Sequence, residues 1–167
     1  MKKSILKEDT LFLDSCVFFT CIKEERCRKV LDRAINQNFK IVTSITVLGE
    51  TLTEMLRQDE TVGNVDQFIS LLKEWNVITL YPNDVLSQIC FEMGLDTADN
   101  RITNQITDRV HLGYAISYDC NYFITDDDAI QRYRIPARIE KIDYHKPDTL
   151  DLIGLRDAMQ KNQMKRK

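Results

Sequence analysis

Short apolar runs alternate along the chain with longer stretches whose apolar residues recur at helical spacing. "TLFLD" (10–14) is an apolar run ending in an acid and reads as a buried strand. "SCVFFTCIKEERCRKVLDRAINQ" (15–37) follows with helical spacing, its second half mixing acids and bases on a solvated face. "FKIVTS" (39–44) reads as a second strand, and Thr43 and Ser44 are suited to cap the helix "ITVLGETLTEMLRQ" (45–58). A helix over about 62–75 precedes the strand "NVITLY" (76–81). Pro82 and Asn83 break the chain before a helix near 84–93, which Gly94 is placed to end. The longest helical pattern is 97–119, where Ile102, Ile106, Val110 and Tyr114 make an apolar stripe. "NYFIT" (121–125) and "PARIEKI" (136–142) are the last strands, and the tail beyond Pro147 reads as one more helix ending in the basic "KNQMKRK".

Short buried strands separated by helices imply a three-layer α/β fold, with a mostly parallel central sheet flanked by helices. Sheets of this kind bind ligands in the crevice beyond the carboxyl ends of their strands. Asp14 closes the first strand, and Asp126, Asp127 and Asp128 follow the strand at 121–125. Two distant segments therefore deliver acids to one edge of the sheet.

The 167 residues suit one domain, drawn here as 1–147 with a basic extension at 148–167. An apolar content of 43% with 29% charged residues is that of an ordinary globular protein. The formal net charge of -3 argues against a surface coated in positive charge, but not against an acidic centre with basic residues beside it. Five cysteines without a C-x-x-C pair, and only His111 and His145, give poor support for structural zinc; thiols in a reducing cytoplasm are the expectation. "MKKSILKEDT" is followed by no long apolar segment, and no run is long enough to span a bilayer, so no membrane association and a cytoplasmic location are expected.

Spacing separates the phosphate-handling families that place an Asp after the first strand. A haloacid dehalogenase-type phosphatase needs a second Asp two residues on, where this chain has Cys16. A receiver domain needs adjacent acids near the first strand and an Asp after the third; "TLFLDSC" has one acid, and "LYPND" ends the third strand. G-x-x-x-x-G-K-[ST] and G-x-G-x-x-G are both absent. "LFLDSCVF", "SITVLGETLTE" and "TDRVHLGYAISYDCNYFITDDDAI", in that order over roughly 10–142, resemble the motifs of the PIN-domain nucleases.

The resemblance implies a metal-dependent ribonuclease, as in the toxins of bacterial toxin–antitoxin pairs. It implies Asp14, Glu50, Asp108 and Asp127 as catalytic residues and ligands of Mg²⁺ or Mn²⁺, with Asp126 sharing the metal and Asp128 capping the next short helix. Hard oxygen ligands suit those ions, and a divalent cation relieves the repulsion among converging carboxylates. Ser15 and Thr125 are expected to hold waters, phosphate oxygens or neighbouring carboxylates. Arg132 and Arg134 are either phosphate contacts or a solvated pair, and His111, three residues after Asp108, is expected to pack rather than ligate. RNA is the implied substrate, with an antitoxin protein and a second copy of the chain as the partners the resemblance suggests. Val47, Leu48, Leu52, Met55, Leu56, Val62 and Val65 are either core or an association surface. The alternative function is a catalytically silent PIN-like module that binds RNA or protein; a receiver-like phosphoacceptor is a distant third.

Overall fold

Thr10–Leu13 form β1, and none of the four residues exposes any surface. An apolar run without charge or turn residues is what a strand covered on both faces requires. The computed structural model describes residues 9–57, 62–98, 106–130, 133 and 135–142; Arg132, Arg134, the segment 148–167 and the helix expected there lie outside them. After β1 come α1 (Ser15–Lys23), α2 (Glu25–Asn36), β2 (Lys40–Ser44), α3 (Ile45–Arg57), α4 (Val62–Glu74) and β3 (Ile78–Leu80). α5 (Leu86–Ala98), α6 (Ile106–Ser117), β4 (Tyr122–Thr125) and β5 (Arg138–Lys141) follow.

The five strands form one sheet in the order β3-β2-β1-β4-β5, and every pairing is parallel. Helices flank it in the expected three-layer arrangement. The order turns back at β1, which pairs with β2 on one side and β4 on the other. This switch point opens a crevice beyond the carboxyl ends of β1 and β4, where Asp14 and the triple Asp lie. Phe12 and Phe123 stack across the β1–β4 seam at 5.1 Å between ring centres. Phe18 of α1 meets Phe68 of α4 edge to face at 5.2 Å. Among the described residues, no helix is long and apolar enough to cross a membrane.

Several elements depart from the sequence expectation. The helix expected over 15–37 breaks at Glu24, whose backbone is extended (φ -124°, ψ 98°). The buried positions Val17 and Phe18 would continue one heptad later at Glu24 and Glu25, so an unbroken helix would turn two acids toward the core. Instead the Glu24 N–H donates to the Thr20 carbonyl, and its own carbonyl receives Cys27 and Arg28 to start α2. Gly94 does not end α5, which runs on to Ala98; a Cβ there would collide with the Arg109 guanidinium. The helix expected over 97–119 is resolved into the end of α5 and into α6, and Ile106 of its supposed apolar stripe is 69% exposed. Ile102 lies outside the described residues.

Ser44 caps α3 as expected, its hydroxyl accepting from the Val47 N–H at 3.2 Å. Thr43 instead donates to the Leu13 carbonyl at 2.9 Å and ties β2 to β1. Asn38, Asn76 and Asp119 take positive φ after α2, α4 and α6. In each case the next residue's N–H reaches back to a helix carbonyl (Phe39 to Ala34, Val77 to Leu72, Cys120 to Ala115), closing the helix before a strand begins. Among the apolar residues of α3 and α4, Val47 and Met55 are core, while Leu52 and Leu56 are exposed by 37% and 76%.

Two glycines make opposite predictions. A Cβ on Gly49 meets nothing within 4 Å, whereas one on Gly113 would sit 2.8 Å from Cys90 Sγ and 3.0 Å from Leu86 Cδ1, at the α5–α6 contact. Gly49→Ala should therefore stabilise by about 0.5–1 kcal/mol through helix propensity. Gly113→Val should destabilise by roughly 1–3 kcal/mol through overpacking. Urea-unfolding midpoints of the two variants check both signs.

Candidate metal centre

The centre is built around Asp14, which is 4% exposed and whose N–H is held by the Ile124 carbonyl of β4 at 3.1 Å. Its Oδ1 accepts the Ser15 N–H at 2.8 Å, capping α1, and lies 3.0 Å from His111 Nδ1. Its Oδ2 accepts the Thr125 hydroxyl at 2.9 Å and the weaker Cys16 thiol at 3.7 Å. A buried carboxylate is tolerated when its lone pairs meet donors, and here they come from β4, α6 and α1.

Thr125 is a pivot: while donating to Asp14 it accepts the Asp127 N–H at 3.0 Å. Cys16 fastens the same loop from the other side, its sulfur accepting the Asp126 N–H at 3.2 Å. Burial, and then the charge of Asp14, pushes the Cys16 thiol well above its ordinary range, so it stays a thiol. Asp126 Oδ2 accepts the Thr20 hydroxyl at 3.4 Å. Asp127 Oδ1 accepts the Ala129 N–H at 2.7 Å, whereas Asp128, 76% exposed at its side chain, pairs with Lys141 at 2.8 Å. Asp127 thus holds the start of the turn at 128–130, while Asp128 reaches Lys141 of β5.

Glu50 enters from α3. Its Oε2 lies 3.5 Å from His111 Nε2, is itself buried, and has no hydrogen-bond partner. Asp108, in the first turn of α6, is 8% exposed and pushed up to about 6. Burial is the main cause, followed by the charges of Asp127 and Asp14, with His111 opposing and Glu50 adding to the rise. All four acids therefore share one electrostatic neighbourhood. Ser15 meets the site through its backbone N–H, while Arg132 and Arg134 fall outside the described residues.

His111 is the residue that the sequence led one to expect packed rather than ligating. It is 2% exposed and stands between Asp14 and Glu50; one ligand atom from each of the three lies within 4.8 Å of the others. Its position three residues after Asp108 put it on the same helical face, which was the available signal. Oxygen donors with one imidazole, an orphaned buried carboxylate oxygen and a carboxyl group raised by its neighbours fit a divalent cation.

A parallel sheet with an acidic crevice at its switch point defines a class of α/β proteins with a carboxylate-lined centre. The PIN domain model matches residues 11–136, and the chain belongs to that family. Solved structures agree on the fold. VapBC2 from Rickettsia felis, bound to a DNA fragment from its promoter, is similar with a TM-score of 0.68 at 15% identity, over 80% of this chain and 99% of that one. VapBC-1 from nontypeable Haemophilus influenzae gives 0.65 at 16% identity, over 82% and 99%. VapC20 from Mycobacterium tuberculosis, a sarcin–ricin loop cleaving toxin, gives 0.53 at 18% identity, over 77% and 98%. No curated protein matches the sequence.

Because Asp108 is raised from 3.8 to about 6, the folded state binds more protons than the unfolded state between those values. Its contribution to stability is thus most favourable below about pH 4 and is lost as pH rises through about 6, a change of roughly 3 kcal/mol. In chelator-treated protein, Asp108→Asn should flatten this slope and raise the melting temperature at neutral pH. Parallel denaturation of parent and variant across that range isolates the effect; identical profiles would mean that Asp108 titrates normally.

Proposed function

We propose that the chain is a divalent-metal-dependent endoribonuclease that hydrolyses RNA phosphodiester bonds, as the toxin of a toxin–antitoxin pair. The observation that carries this reading is the convergence of Asp14, Glu50, Asp108 and Asp127 on one crevice, with a buried carboxylate oxygen of Glu50 left without a donor. Such a set fits Mg²⁺ or Mn²⁺ held by carboxylates. When bound, the ion supplies a lowered pKa for water and charge stabilisation at phosphoryl oxygens.

The chain's own residues supply position. Ser15, His111 and Thr125 hold the Asp14 carboxylate from three sides and leave it little rotational freedom. Thr125 passes that order on to the Asp127 backbone, and Asp126, held by Cys16 and Thr20, borders the same crevice. Glu50 is half exposed and gives the site its open side, where a phosphodiester would approach. Arg132 and Arg134 follow the acidic loop in sequence and would contact the phosphates.

VapC20 is a toxin that cleaves the sarcin–ricin loop, and the Rickettsia and Haemophilus neighbours are VapBC structures. These relatives support an antitoxin partner and a cytoplasmic setting. Exposed Leu52 and Leu56 on α3 support a contact surface for the antitoxin or for a second copy. The nuclease domain would span 1–147, with 148–167 as a helical and basic C-terminal extension.

Purified protein should cleave single-stranded or looped RNA with Mg²⁺ or Mn²⁺ and stop on chelation. Asp14→Asn and Glu50→Gln should each reduce the rate by about a hundredfold or more. Near-ultraviolet circular dichroism checks the fold, which matters for Asp14 because an amide cannot accept at both positions. Glu50 is not a packing hub and serves as the cleaner variant. Undiminished cleavage by both variants would trace the activity to a contaminant.

A further inference from the structure

The metal-dependent reading above names carboxylates alone, yet a nitrogen is built into the same site. An ionised carboxylate only accepts hydrogen bonds, so the 3.0 Å contact between His111 Nδ1 and Asp14 Oδ1 assigns the proton to Nδ1. In the neutral ring this leaves a lone pair on Nε2. That lone pair faces Glu50 Oε2 at 3.5 Å, and the carboxylate oxygen is buried with no hydrogen-bond partner. The 3.5 Å separation is long for a hydrogen bond. It is close to the separation of two ligand atoms on one ion, about 3.0–3.4 Å for bonds of about 2.1 Å.

The other half of the ring fits as well. Histidines that ligate metals through one nitrogen nearly always donate the opposite N–H to a carboxylate or carbonyl, which fixes the tautomer and the ring plane. Asp14 Oδ1 takes that part here. The ring is 2% exposed, so its direction is set by packing rather than by solvent.

We infer that His111 ligates the ion through Nε2, alongside Glu50, and thereby biases the crevice toward transition ions such as Mn²⁺ and Co²⁺ over Mg²⁺. Mg²⁺ holds to oxygen and gives up water reluctantly. Imidazole nitrogen favours the transition series, with affinity rising from Mn²⁺ to Co²⁺. An all-carboxylate crevice discriminates less. The inference rests on the metal-dependent reading but concerns which ion is held and by which atom.

The test is Mn²⁺ bound to the metal-stripped full chain, observed by electron spin echo envelope modulation and by calorimetric titration. The expected spectrum carries modulation from a directly bound nitrogen, and the titrations should show Mn²⁺ binding about tenfold or more tighter than Mg²⁺. His111→Asn places an amide near the Nδ1 position, preserving a donor to Asp14, and removes the nitrogen facing Glu50. That variant should lose the nitrogen modulation and most of the Mn²⁺ preference, with Mg²⁺ affinity falling clearly less than Mn²⁺ affinity. Oxygen-only coupling in the parent would overturn the inference, and this readout needs no variant to fold. Equal losses of Mn²⁺ and Mg²⁺ affinity in His111→Asn would also overturn it, leaving His111 as a support for Asp14 alone. Absence of any divalent binding by the parent would remove the metal-dependent reading beneath it, and this inference with it.

Discussion

The Asp14 carboxylate is the constraint on which the centre depends. A negative charge at the closed end of a buried strand is costly to desolvate, and only a saturated set of donors makes it tolerable. Those donors come from the start of α1, the end of β4 and the middle of α6. Satisfying one carboxylate therefore registers three elements against one another. The parallel pairing of β1 with β4 makes this possible, because it brings Leu13 opposite Ile124 and so sets Asp14 beside Thr125.

The same arrangement works against the fold's own electrostatics. Asp14, Asp108, Asp127 and Glu50 share a partly dry crevice, and Asp108 is raised there first by burial and then by its acidic neighbours. Two features contain it. Asp14 and Asp127 each accept backbone N–H groups, which favour their charge locally, and Asp128 is turned outward to Lys141. Glu50 receives no such partner at Oε2, so the residual imbalance is concentrated where Glu50 and His111 meet. Uncompensated charge in a cleft is the usual mark of a site that awaits a cation or substrate.

Much of the fold was legible because its cause is local. β1, β2 and β4 are apolar runs bounded by polar residues, and the cap at Ser44 follows from side-chain chemistry at helix starts. The break at Glu24 was hidden inside a continuous helical pattern, since it is packing of both apolar faces, rather than propensity, that forces it. Gly94 looked like a terminator because composition marks an absent Cβ without saying whether space or φ requires it. Neither does here: its φ is not positive, and only the movable end of Arg109 of α6 lies within reach of a Cβ.

The candidate site divides in the same way. Acids after β1 and β4 had to reach one edge of a parallel sheet, because strand direction alone decides that, and the order of the motifs carried the family. Pairwise geometry is a different matter. The bond from the Ala129 N–H to Asp127 and the pairing of Asp128 with Lys141 depend on how the loop lies against β5. The place of His111 between Asp14 and Glu50 depends on how α6 and α3 meet beneath the sheet's edge. A period of 3.6 puts His111 on the face of Asp108, but it cannot say what that face meets. Distances between side chains on separate elements are set by tertiary packing, and no local pattern encodes them.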